Sequence, residues 1–371
     1  MNKHRMNKKL SSFAARLCEL IANRRPAIRH RQFSELALEL FTLQFENNPA
    51  YRKICEARGL TPGVVEHWTQ IPAVPTSAFK ELELSCIPPE ERTNVFHSSG
   101  TTEQKPSRHF HCAESLELYE VSLWTWFETN CGLRIADCGL TCLTPPPAQA
   151  PHSSLVRMFE TIRRQLGAPE SVFAGKTDAA GSWILDFAAA RAALNSAIDN
   201  RQPAILLGTA FSFVHLLDYR VELDLRVELP AGSRIMETGG YKNRSRSMPR
   251  PELHALITDR LGVPAENIIC EYGMSELSSQ AYEIKNSKLK IQNSERQFRF
   301  PPWARAQIIS PEIGREVAEG ETGLIRVFDL ANVFSVAAIQ TEDLGIRRGD
   351  GFELIGRAQR AEPRGCSLMT A

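Results

Sequence analysis

Along the first sixty residues, apolar side chains recur at three- and four-residue intervals. Phe13, Leu17, Leu20 and Ile21 share one face of an amphipathic stretch, and Phe33, Leu36, Leu40, Phe41 and Phe45 share another. Helices are predicted over residues 10–60, broken at Asn47-Asn48-Pro49. Prolines and Ser77 make residues 71–80 an extended connector, and residues 94–97 predict a short strand running into a hydroxyl-rich loop. Strand and helix patterns then alternate: 139–143 with 153–166, 204–207 with 210–217, 234–237 with 251–261, and finally a strand over 268–271. Such alternation implies a parallel or mixed sheet covered by helices, an α/β fold. From 300 to 356 the pattern changes to short β-type segments, 306–309, 323–328 and 336–339, between Pro and Gly turns. The expected organisation is a helical segment 1–70, an α/β core 71–300, a small β-rich subdomain 301–357 and a short arm 358–371.

Composition narrows the function. A chain of 371 residues with 43% hydrophobic content can fill a core, so disorder is not expected. Lysine and arginine total 44 against 43 acidic residues, so no global field attracts nucleic acid or an anionic membrane surface. Nine cysteines without a CxxC pair argue against a disulfide framework and for a reducing compartment, the cytoplasm. Cys131, Cys138 and Cys142 beside His109, His111 and Cys112 match no common zinc spacing. The basic start has no long apolar core and reads as the first helix of a soluble protein, with a transit peptide as the alternative. No apolar run reaches the roughly 18 residues of a membrane span.

Three stretches carry chemistry. In HSSGTTEQKPSRH, the hydroxyls of Ser98, Ser99, Thr101 and Thr102 surround Gly100 just after a predicted strand, and Lys105 and Arg108 follow. Hydroxyls and free N–H groups on a glycine turn suit a polyphosphate, and the two cations could reach its outer phosphates. The plain alternative is a Ser/Thr-rich surface turn. In EYGMSELSSQ, residues Tyr272, Gly273, Met274, Ser275 and Glu276 stand at the end of a strand, where α/β sheets bind ligands. Tyr272 could pack on a base, Ser275 could bond a phosphate oxygen, and Glu276 could hold magnesium or simply cap a following helix. In the third, QTEDLG carries Asp343, which could bond ribose hydroxyls, and GFELIGRAQR carries Arg357.

Taken in order, these motifs resemble those of the acyl-adenylate-forming superfamily of acyl-CoA synthetases, luciferases and peptide-synthetase adenylation domains. The resemblance covers roughly residues 70–366 and implies that residues 98–105 form its phosphate loop and 272–276 its Tyr-Gly-Met-Thr-Glu motif. It implies that Asp343 holds ribose, that Arg357 precedes the hinge, and that Gly239 and Gly240 of METGGY lie near the adenine and acyl pockets. Two departures stand out: Glu103 replaces a glycine and Lys105 precedes Pro106, and the usual C-terminal domain with its catalytic lysine is missing before Ala371. The connector IPAVPTSAFK, METGG and the ending RGCSL are similar to one subgroup, the LuxE-like acyl-protein synthetases of bacterial bioluminescence. That likeness implies that Cys366 accepts the acyl group as a thioester, with Arg360 and Arg364 favouring its thiolate. It also implies ATP and magnesium as cofactors, a carboxylic acid, preferably fatty, as substrate, and a downstream acceptor protein: a reductase, a transferase or a carrier. Two other readings stay open, direct transfer to coenzyme A or a carrier protein, and a non-catalytic nucleotide-binding protein. Acyl-pocket candidates are Phe211, Phe213 and His215.

Overall fold

The alternation between 139 and 272 builds a parallel sheet. The computed structural model describes residues 7–23, 28–98, 105–131, 138–168, 171–239, 246–284 and 297–358. Strands Ser171–Phe173, Gly139–Cys142, Ala204–Thr209, Arg234–Thr238 and Ile268–Tyr272 lie side by side in that order, all parallel. Alternate side chains leave by opposite faces. Leu206, Ile235 and Ile268 pack against Leu194, Phe213, Leu217 and Ile257 from helices Phe187–Asp199, Ala210–Glu222 and Arg250–Leu261. Ile205, Leu207 and Met236 pack on the other side against Leu123, Phe127, Phe159 and Ile162 from helices Ala113–Cys131 and Ser154–Leu166. Coverage on both sides explains why Ala204–Thr209 is buried at every position.

Turn chemistry sharpens the crossovers. Thr209 and Ser212 cap each other's backbone N–H groups, so the helix starts directly where its strand stops. Ser153 accepts from the Val156 N–H, and Gly167, at φ 60°, ends the same helix in the left-handed conformation. Helix Ala113–Cys131 had no clear sequence signature because it lies between two cores. Leu118 and Val121 face one, Tyr119, Leu123 and Phe127 face the other, and Trp126 packs against both, which leaves no single apolar stripe.

Beyond Ile268–Tyr272 the same sheet continues antiparallel through Ala281–Ile284, Gln297–Arg299, Gly351–Arg357, Ala338–Arg348, Thr322–Asp329 and Ala304–Ile309. The β-type segment expected at 336–339 is displaced: its strand begins at Ala338 and runs to Arg348, so Asp343 stands inside a strand. Helices Lys8–Ala22, His30–Asn47 and Pro49–Ala57 form the N-terminal segment. The break falls where expected, because Asn48 is extended and its side chain accepts from the Tyr51 N–H, with Pro49 in the first turn. These helices share one core with the β-rich strands, bringing Phe33, Leu40 and Phe41 together with Val327, Phe328 and Ile339. Buried Gln44 fastens the contact: its amide donates to the carbonyls of Asn332 (2.8 Å) and Val333 (3.1 Å) and accepts from the Ala337 N–H (3.0 Å). The connector adds Val74–Pro75 parallel to Ala338–Arg348, with Val74 opposite Ile339. No helix among the described residues is long and apolar enough to cross a membrane.

Candidate active site

Two hydrogen-bonded groups meet at the carboxyl end of strand Ile268–Tyr272. The first joins three distant stretches. The Tyr272 hydroxyl donates to Asp343 Oδ2 at 2.8 Å, and Arg357 Nε stands 3.8 Å from Asp343 Oδ1. Register explains the second contact, since Asp343 and Arg357 are direct partners on adjacent antiparallel strands. Tyr272 packs edge-on against Phe298, Phe300 and Phe352, so its ring belongs to that aromatic cluster and its hydroxyl orients the aspartate. Burial pushes the Asp343 carboxyl up, while the Tyr272 hydrogen bond and the Arg357 charge pull it down. Arg357 is largely exposed, so this ion pair adds little stability and its side chain is free to meet a ligand.

The second group links the hydroxyl-rich loop to the Tyr-Gly-Met-Ser-Glu segment. Ser98 Oγ accepts from the Ser107 N–H at 3.0 Å; Ser107 Oγ lies 3.4 Å from Ser275 Oγ; and Ser275 Oγ donates to Glu276 Oε2 at 2.9 Å. His109 holds the turn from below, with Nδ1 2.9 Å from the Ser275 carbonyl oxygen, which only accepts, so Nδ1 carries the proton. Asn332 Nδ2 donates to the Glu276 carbonyl at 2.9 Å and to that of Val336 at 2.8 Å. Glu276 is 5% exposed, and none of the ion pairs among the described residues engages its carboxylate. No helix follows it, because the chain turns and enters strand Ala281–Ile284; the helix-capping alternative is thereby overturned. A buried carboxyl group with no ion-pair partner among the described residues is chemistry that fits a hard divalent cation such as magnesium.

Beneath this turn lies Glu271, whose carboxylate accepts from the Thr238 hydroxyl. Burial, opposed by that hydrogen bond and reinforced by Glu237, pushes its pKa up to about 7. A Cβ at Gly273 would fall 2.4 Å from Glu271 Oε1, so a larger residue there would displace that carboxylate oxygen. Gly239 closes strand Arg234–Thr238 at φ 68° with open space around it.

Other sequence expectations land elsewhere. Lys105 Nζ pairs with Glu81 at 3.4 Å on the surface, and Arg108 lies 3.8 Å from Glu83, so both proposed phosphate cations are engaged by carboxylates. Among the acyl-pocket candidates, Phe213 is fully buried in the core, while Phe211 is buried beside exposed His215. Ser99, Gly100, Thr101, Thr102, Gly240 and Cys366 lie outside the described residues. The sequence reading missed Ser107, His109, Asn332 and Glu271. Only Glu271, adjacent to Tyr272, carried any local signal.

His109 also marks a pH dependence. Burial lowers its pKa from 6.5 to about 4, so it is neutral at pH 7 and must take up a proton on acid unfolding. Stability conferred by the neutral ring is complete above pH 6.5 and is lost as pH falls toward 4, by up to about 3 kcal/mol. His109→Gln should therefore be less stable than the parent at pH 7, with a deficit that shrinks on acidification. Urea unfolding of both proteins across this range checks it, and a deficit independent of pH would contradict it.

The architecture is that of adenylate-forming enzymes. Solved structures of 2-hydroxyisobutyryl-CoA ligase superpose with a TM-score of 0.66 at 15% identity over 90% of this chain and 70% of that one, in the postadenylation state, and 0.65 at 14% in an open conformation, over 89% and 70%. Within that class the chain belongs to the acyl-protein synthetase family LuxE, whose model matches residues 152–371. It is therefore an enzyme, an acyl-protein synthetase that forms an acyl-adenylate, and the family's chemistry implies the use of ATP. Long-chain-fatty-acid–luciferin-component ligase of Aliivibrio fischeri is 25% identical over 360 residues, covering 91% of this chain and 87% of the relative. The Vibrio harveyi enzyme of the same name is 24% identical over 351 residues, covering 90% and 86%.

Proposed function

We propose that this protein activates a fatty acid with ATP and passes the acyl group through Cys366 to an acceptor protein. The observation that carries the reading is the convergence of Ser98, Ser107, residues 272–276, Asp343 and Arg357 through the Ser98–Ser107–Ser275–Glu276 and Tyr272–Asp343–Arg357 contacts at one strand end. The fatty substrate and the acceptor follow from the names of the two relatives, which specify a long-chain fatty acid and a luciferin component. Asp343, oriented by Tyr272, would accept from ribose hydroxyls, and Ser98, Ser99, Gly100, Thr101, Thr102 and Ser275 would surround the phosphates. Gly239 and Gly240 would border the nucleotide, and Arg357 would approach it from the facing strand. Glu276 would hold magnesium, which when bound supplies positive charge beside the phosphates.

A carboxylic acid is ionised at neutral pH, so its oxygen can attack the α-phosphorus without a general base. The new O–P bond replaces the bond to the leaving pyrophosphate. In the second step the Cys366 thiolate attacks the acyl carbon, the C–O bond to AMP breaks, and AMP leaves with the electron pair. The thiol proton passes to solvent before attack. None of the eight described cysteines forms a disulfide, which supports a reducing, cytoplasmic setting. Acid-dependent ATP–pyrophosphate exchange tests the first step. Cys366→Ala is expected to keep that exchange and lose hydroxylamine-sensitive labelling of the protein by radioactive fatty acid. Label that persists in the variant would move the thioester to another thiol; exchange without any protein label in the parent would favour direct transfer to coenzyme A or a carrier protein.

A further inference from the structure

A buried trio on the other face of the same two strands has no part in this chemistry. Glu237 and Cys270 are direct partners on the parallel strands Arg234–Thr238 and Ile268–Tyr272. Alternation sends both toward helix Arg250–Leu261, opposite to Thr238 and Glu271, and His254 reaches down from that helix between them. The three are only 2–7% exposed. Cys270 Sγ lies 3.1 Å from Glu237 Oε2 and 3.7 Å from His254 Nε2, and His254 Nε2 lies 3.7 Å from Glu237 Oε2. One ligand atom from each residue falls within 4.8 Å of the other two.

We infer that Glu237, His254 and Cys270 form a binding site for one zinc ion, a structural clamp between the two strands and their covering helix. Zinc bonds of about 2.3 Å to sulfur and about 2.0–2.1 Å to nitrogen or oxygen set ligand separations of about 3.3–3.6 Å in a tetrahedron. The three observed separations bracket that range. The donor set selects the metal, because thiolate and imidazole together suit zinc, whereas magnesium and calcium prefer oxygen alone. Charge also balances. A thiolate and a carboxylate neutralise a divalent ion, and the nearby Arg250 is already paired with Glu283 at 3.0 Å. On binding, the cysteine S–H bond breaks, its proton leaves to solvent, and sulfur donates to the metal; a water completes the fourth position. No spacing pattern announces the site, since the ligands come from two strands and a helix, 17 and 16 residues apart in turn.

The test is metal content, which does not depend on the ligase reaction. Full-length protein grown with zinc and purified without chelator should carry close to one zinc per chain by mass spectrometric metal analysis. Cys270→Ala and His254→Ala should each lose it by at least tenfold. Cobalt(II) titrated into chelator-stripped parent protein should give a thiolate-to-cobalt charge-transfer band and the visible bands of tetrahedral coordination, both missing in Cys270→Ala. Absence of the charge-transfer band in the parent overturns the site whatever the variants do, and so does unchanged zinc content in a folded Cys270→Ala protein.

Discussion

Glu276→Gln is expected to lower acid-dependent ATP–pyrophosphate exchange by about 10²–10³-fold, the usual loss when one preorganised electrostatic partner of a transition state is removed. The substitution keeps volume and keeps an acceptor for the Ser275 hydroxyl, 2.9 Å away, so the turn itself is undisturbed. What disappears is a carboxylate oxygen in a group that makes no ion pair among the described residues, so no stabilising contact goes with it. The variant should therefore unfold at the same denaturant concentration as the parent. Loss of exchange at unchanged stability would locate the effect in catalysis. Exchange within threefold of the parent would remove Glu276 from any metal-holding role.

Asp329→Ala should cost about 2–4 kcal/mol at pH 7, from an imbalance between two large terms. The carboxylate is fully buried and accepts from the Ser278 N–H at 2.9 Å, the Ser279 hydroxyl at 2.7 Å and the Ala331 N–H at 3.0 Å. Alanine would orphan three buried donors, at about 1–3 kcal/mol each. Against this, burial raises the Asp329 pKa from 3.8 to about 6, so the ionised group carries a penalty of about 3 kcal/mol at neutral pH that alanine relieves. A raised folded pKa contributes stability below 3.8 that is lost as pH rises through 6. The gap between parent and variant should consequently widen as pH falls from 7 toward 4, the opposite trend to that of His109→Gln. Urea titrations at several pH values measure it; a gap that narrows on acidification would mean that the Asp329 carboxyl is held below its ordinary pKa, not above it. Because Ser278 follows Glu276 and Leu277, this knot also bears on exchange activity, which should fall in parallel.

These two residues differ in how visible they are in the sequence. Glu276 stands in a recognisable stretch at the end of an apolar run. Asp329 ends a β-type segment and looks like any turn aspartate until Ser278 and Ser279 arrive beside it from the far side of the sheet.

Amphipathic spacing by itself determined the helical start, the strand–helix alternation from 139 to 272 and the β-type character of 301–357, because each of those elements buries one regular face or one fully apolar run. Local order also marked Tyr272, Glu276, Asp343 and Arg357 as candidates, since phosphate, ribose and metal chemistry would restrict the residue types that can serve. Helix Ala113–Cys131 was beyond such reading: wedged between two cores, it has apolar groups on both sides. Only the tertiary structure decided that Asp343 pairs across strands with Arg357 while receiving the Tyr272 hydroxyl, that Ser107, His109 and Asn332 hold the Ser275–Glu276 turn, and that Lys105 and Arg108 face surface carboxylates. The physical reason is common to all of them. Periodicity reports which side of an element meets the core, whereas a hydrogen-bonded partner dozens of residues away is chosen by strand register and by the few ångströms that separate packed layers.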